Sequence, residues 1–179
     1  MSDKPTKTGN RFFDWLFNTD GHAGFYVLKV WPVATIPCLL IAIVSYYVVV
    51  LLDWQESLQF FHLKHTRRLL SPAVSFFGSV VLSPAIETLL MIPVFGVLKG
   101  FINSKPGLVF LSALIWALLH SLANPIWGLS VFWAFVVYSS AFLAWSEKSA
   151  TKAFWVTFAI HALNNLTAFV GSMLSAGSS

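Results

Sequence analysis

Five long runs of apolar residues, separated by short polar or basic stretches, organise this chain. They cover about Tyr26–Leu52, Pro72–Gly100, Gly107–Ala123, Trp127–Trp145 and Ala153–Leu174. A membrane-crossing helix needs roughly 17–25 such residues, so the pattern predicts an all-α bundle of about five transmembrane spans. No internal repeat divides the chain, and residues 26–174 read as a single helical domain. Residues 1–25 form a polar lead and residues 175–179 a flexible small-residue tail. Pro32 and Pro37 fall in the first half of the first run, which predicts a kink or a late helix start. Pro84 and Pro93 fall in the second, each removing a backbone hydrogen bond, and predict irregular backbone there. Asn124-Pro125 marks a tight turn between the third and fourth runs.

Composition supports the same reading. Hydrophobic residues make up 57% of the chain and charged residues 10%, against about 25% charged in soluble domains. The mean hydropathy is +0.75. A net charge of +4 would suggest nucleic acid as a partner of a soluble protein. Here basic loops that orient helices in an anionic bilayer explain it, and no nucleic-acid partner is expected. Cys38 is the one cysteine and lies in an apolar run, so no internal disulfide forms. The polar start of the chain predicts no cleaved leader. Phe12, Phe13, Trp15, Leu16 and Phe17, flanked by charge, read as an interfacial anchor. His62 and His65, three apart in the connection that follows Asp53, read as part of a solvated basic loop. With five spans, Lys4, Lys7, Arg11, Lys29, Lys99, Lys105, Lys148 and Lys152 share one side, and only Lys64, Arg67 and Arg68 lie on the other. Eight against three predicts a cytoplasmic N-terminus, in what is expected to be a prokaryotic plasma (inner) membrane.

Glu87 breaks the pattern. It is the only charged residue among the thirty between Arg68 and Lys99. An acidic side chain at mid-bilayer costs roughly 2.5–3.5 kcal/mol on insertion scales, so a carboxyl group there needs polar partners. The candidates are His120 in the third span and His161 and Asn165 in the fifth. With about 1.5 Å of rise per residue, Glu87 lies roughly 18 Å from Lys99 and His120 roughly 22 Å from Lys105. His161 and Asn165 lie roughly 14 and 20 Å from Lys152. All these distances start from the same side, so three helices place an acid, two imidazoles and an amide in one layer. His161 and Asn165 are four apart and share a helix face, able to offer two donors to one oxygen. Asn164 falls off that face and reads as structural.

These are the parts that peptide hydrolysis needs. A carboxylate in low dielectric is a competent base near neutral pH. Glu87 would take a proton from a water that His120 holds, and His161 and Asn165 would donate to the oxyanion formed on attack. No cofactor is required, although two histidines and a glutamate can also bind zinc with an open position. Polar glue between helices in a non-catalytic binding, immunity or scaffold protein, or a proton relay in a carrier, remain alternatives.

The stretch Ser83-Pro84-Ala85-Ile86-Glu87-Thr88-Leu89-Leu90-Met91-Ile92, then Trp116 to His120, then His161 to Asn165, resembles the three ordered motifs of the CPBP family. These are intramembrane proteases of the CAAX-processing and bacteriocin-processing type, with Glu-Glu-x-x-x-Arg, Phe-x-x-x-His and His-x-x-x-Asn helices in that order. The resemblance spans about residues 72–170. It implies that Glu87 and His120 activate water and that His161 and Asn165 form the oxyanion site. Thr88 stands where the second glutamate is usual, Ile92 where the arginine is and Trp116 where the phenylalanine is. The expected function is a glutamic-type intramembrane endopeptidase cutting a membrane-associated peptide or protein.

Overall fold

The computed structural model describes residues 9–53 and 71–177, and every regular element among them is a helix. The helices are α1 (Arg11–Leu16), α2 (Ala23–Leu51), α3 (Pro72–Leu98), α4 (Lys105–Ser121), α5 (Pro125–Ser146) and α6 (Ala150–Gly177). Their starts follow from local chemistry. Asn10, Ser71, Ser104 and Asn124 each accept a backbone N–H of the first turn through the side chain. A proline follows within the first two helical positions of α3, α4 and α5, where its missing N–H costs nothing. Ser149 accepts the Lys152 N–H at the start of α6.

By length and composition α2, α3, α5 and α6 can each cross a membrane. The third of the five predicted spans is α4, at 17 residues, which is apolar but shorter than these four. At 1.5 Å per residue it is about 25 Å long. The predicted and observed ends of all five agree within a few residues.

Helix α5 is the axis. Its residues from Ala134 to Trp145 are all buried, which a helix apolar on every side achieves only when surrounded. It packs against α2, α4 and α6, while α3 lies against α4 and α6. Helices α4 and α5 approach closely at Gly128, where a Cβ atom would sit 2.4 Å from the Ala117 carbonyl oxygen.

Two local findings differ from expectation. Pro32 and Pro37 do not delay the start of α2, which begins at Ala23 and continues through both. Pro37 cannot give Val33 its usual backbone donor, and the Trp133 indole of α5 donates to the Val33 carbonyl instead, at 2.8 Å. The aromatic lead is also more than an interfacial anchor. Phe13, Leu16 and Phe17 are buried in the core, and Phe12 meets the Trp133 ring. The Tyr26 hydroxyl donates to the Leu16 carbonyl at 2.6 Å and fixes α1 against α2. An aromatic cluster between charges suits a headgroup layer or a protein groove equally well, and tertiary packing chose the groove.

Candidate active site

Glu87, His120 and His161 reach one point from three helices. The Glu87 Oε2 lies 3.8 Å from His161 Nε2 and 3.9 Å from His120 Nε2. Both separations exceed a direct hydrogen bond. The side chains are 16%, 13% and 7% exposed for Glu87, His120 and His161, so the cluster is shielded. Oε2 itself is buried with no hydrogen-bond partner among the described residues, whereas Oε1 accepts from the Ser83 hydroxyl one turn earlier. The polar layer inferred from helix rise therefore exists as a contact cluster.

The protein fixes each ring. His120 sits in the last turn of α4, and its Nδ1 lies 2.8 Å from the Trp116 carbonyl oxygen. A carbonyl only accepts, so Nδ1 carries the hydrogen and a neutral His120 turns the Nε2 lone pair toward Glu87. His161 stacks on Tyr138 with ring centroids 4.4 Å apart. Phe135 wedges between the imidazoles, 5.3 Å from His120 and 5.7 Å from His161, and is itself stacked on Trp116 at 5.0 Å. Trp127 packs edge-on against His120 at 4.7 Å.

Between these groups is a cavity of about 50 Å³, lined among others by Ser83, Glu87, His120, Tyr138, His161 and Asn165. One water needs roughly 10–15 Å³ on this measure, so a few fit. An atom in this space could touch a carboxylate base and an imidazole acceptor together, with a second imidazole within reach of a developing oxyanion.

Asn165 has a protein partner that the spacing does not reveal. It lines the cavity, but its Nδ2 donates at 2.9 Å to the Ser79 carbonyl of α3. Asn164, which the spacing set off the functional face, lines the same cavity, and the Tyr138 hydroxyl lies next to it. Sequence reasoning gave no role to Ser83, Phe135 and Tyr138. Ser83 was within reach, since it stands four residues before Glu87 on the same helix. The two aromatic residues were not, because ring positions in an all-apolar helix carry no periodic signal.

Glu87, His120 and His161 are the residues that would hold zinc in a metal-dependent enzyme. Among the described residues no three His, Cys, Asp or Glu side chains form a group arranged to hold a metal. His62 and His65 lie outside the described residues. Comparison of the chain with protein-family models, with curated proteins and with solved structures gives no match.

Proposed function

We propose that this membrane protein is a glutamic-type intramembrane endopeptidase acting on a membrane-associated peptide or protein. One observation carries the reading: the buried Glu87 Oε2, without a hydrogen-bond partner among the described residues, facing two imidazole nitrogens across a water-sized cavity. The motif resemblance to the CPBP family, which rests on the same residues, agrees with it. In this mechanism Glu87 removes a proton from water and His120 holds that water through Nε2. The water oxygen bonds the carbonyl carbon, and the Nε2–H tautomer of His161 donates to the oxyanion. The Glu87 carboxylic acid then returns its proton to the amide nitrogen as the C–N bond breaks, leaving a carboxylic acid and an amine, and the new acid gives up its proton to solvent on release. The protein would sit in a prokaryotic plasma (inner) membrane with its N-terminus in the cytoplasm.

General-base contributions are typically about 10²–10⁴-fold. Glu87→Gln in purified, reconstituted protein is expected to lower cleavage of lipid-anchored reporter peptides at least a hundredfold, about the lower end of that range. Undiminished cleavage by the variant would rule the mechanism out. A second reading has its own support: Ser83 holds Glu87, and Asn165 ties α3 to α6, without any chemistry. A non-catalytic binding or scaffold protein built this way would show no Glu87-dependent cleavage and would keep its partner in Glu87→Gln. Metal analysis of purified protein, with and without chelator, separates the metal-free enzyme from a zinc-dependent one.

A further inference from the structure

Helix α3 is not α-helical throughout: Phe77–Leu82, immediately before the glutamate stretch, is π-helical. In this register the Ser83 N–H bonds the Gly78 carbonyl, five residues back. The next carbonyl, that of Ser79, would take its bond from residue 84. That residue is Pro84, which has no N–H to give. A carbonyl stranded at membrane depth is costly, and Asn165 Nδ2 of α6 caps it at 2.9 Å. The bundle uses the same device at Pro37, where Trp133 caps the Val33 carbonyl.

We propose that Asn165 is a positioning residue: by capping the Ser79 carbonyl it holds the π-helical turn and so sets the rotation of α3 that aims Glu87 at His120 and His161. The catalytic consequence rests on the hydrolytic reading above; the clamp does not. A π-helical turn accommodates one extra residue, and one residue turns the rest of a helix by about 100°. Loss of the turn would therefore swing Glu87 away from the imidazoles relative to the Pro72 end of α3. The capped carbonyl, Ser83 and Glu87 follow one another at four-residue steps, so the cap acts two turns before the carboxylate. The other role open to Asn165, oxyanion donor, would use the second hydrogen of Nδ2 on the substrate.

A double-mutant cycle between residues 84 and 165 separates the two. Pro84→Ala supplies an N–H where the Ser79 carbonyl needs one and makes the Asn165 amide redundant. Unfolding midpoints in detergent and cleavage of lipid-anchored quenched fluorescent peptides are measured for the wild type, both single variants and the double variant. With Pro84 present, Asn165→Ala is expected to lower the midpoint and to cut kcat roughly tenfold with KM little changed, as losses of supporting hydrogen bonds do. In the Pro84→Ala background the same substitution should change both far less, a coupling expected of directly linked groups. Equal losses of kcat in both backgrounds would overturn the positioning role, since Asn165 would then be acting on the substrate. Additive midpoints would overturn the clamp itself, and that result can be read even if no peptide is cut. Cleavage that does not depend on Glu87 would instead sink the protease reading and leave the unfolding cycle to decide the clamp. Asn165→Leu, of nearly the same shape but without donor or charge, serves in place of alanine if that variant does not fold, with the same outcomes.

Discussion

Ser83 decides which oxygen of Glu87 is available. Its hydroxyl donates to Oε1 and leaves Oε2 between the imidazoles. A hydrogen bond to a charged group contributes about 1.5–3 kcal/mol, and about 1.4 kcal/mol is a factor of ten. Ser83→Ala should therefore lower kcat about tenfold or more and lower the unfolding midpoint with it. Unchanged turnover in steady-state assays would remove Ser83 from the site. The departures from the CPBP-like motif also make sense residue by residue. Thr88 is 1% exposed in a packed face of α3, and Ile92 is 46% exposed on its outside. A second glutamate at 88 would bury an unpaired charge, and an arginine at 92 would face the surroundings of the bundle. A neutral threonine avoids that charge, although its hydroxyl is buried with no partner among the described residues, and an apolar isoleucine fits the outer place. Glu87, His120 and His161 were legible because each is the one Asp, Glu or His of its apolar run. The atom that Asn165 would bond was not, because its partner is a backbone carbonyl whose vacancy depends on the π-helical register.

At the scale of elements, packing of α4 on α5 determines where His120 sits. Gly128 lies at the crossing, eight residues from His120, and a Cβ there would come within 1.8 Å of Ser121 Oγ as well as 2.4 Å of the Ala117 carbonyl. The hydroxyl can rotate away, but the backbone carbonyl cannot without separating the helices. Gly128→Ala is expected to destabilise the fold by about 1–3 kcal/mol, the usual cost of overpacking, and to reduce activity with it. Gly96→Ala, where a Cβ meets nothing within 4 Å, is the control. It should be neutral or slightly stabilising through helix propensity. Thermal unfolding of the two variants in detergent checks this, and equal midpoints would contradict the close crossing. The helix limits were readable in advance because cap residues and prolines act locally. The continuity of α2 through two prolines was not, since it depends on a tryptophan one hundred residues away in sequence.

At the scale of the molecule, three of the basic residues assigned to one side of the membrane, Lys29, Lys105 and Lys148, gather at one end of the bundle. Lys29 lies over Trp15, Lys105 over Phe17 and Lys148 over Trp145. Lys105 also pairs with Glu147, and Lys148 donates to the Thr19 carbonyl. The α1 segment is thus pinned at the end where α4 and α6 begin. Asp53, beyond the far end of α2, marks the opposite end. If this basic end faces the cytoplasm, a cysteine placed at Ala150 in a Cys38→Ala background should resist an impermeant maleimide in intact cells. One placed at Asp53 should react. The reverse pattern would invert the topology and move substrate access to the other side.

What the sequence determined by itself was position along the helix axis: where each helix starts and stops, and the common depth of Glu87, His120 and His161. Hydrophobic length, capping and 1.5 Å of rise per residue are local quantities and need no knowledge of neighbours. The rotation of each helix was left to the tertiary structure. In α2 and α5 apolar residues occupy every face, so the pattern contains no direction. Packing alone put α5 at the centre, Phe135 between the histidines, α1 in the core and the Asn165 amide on Ser79.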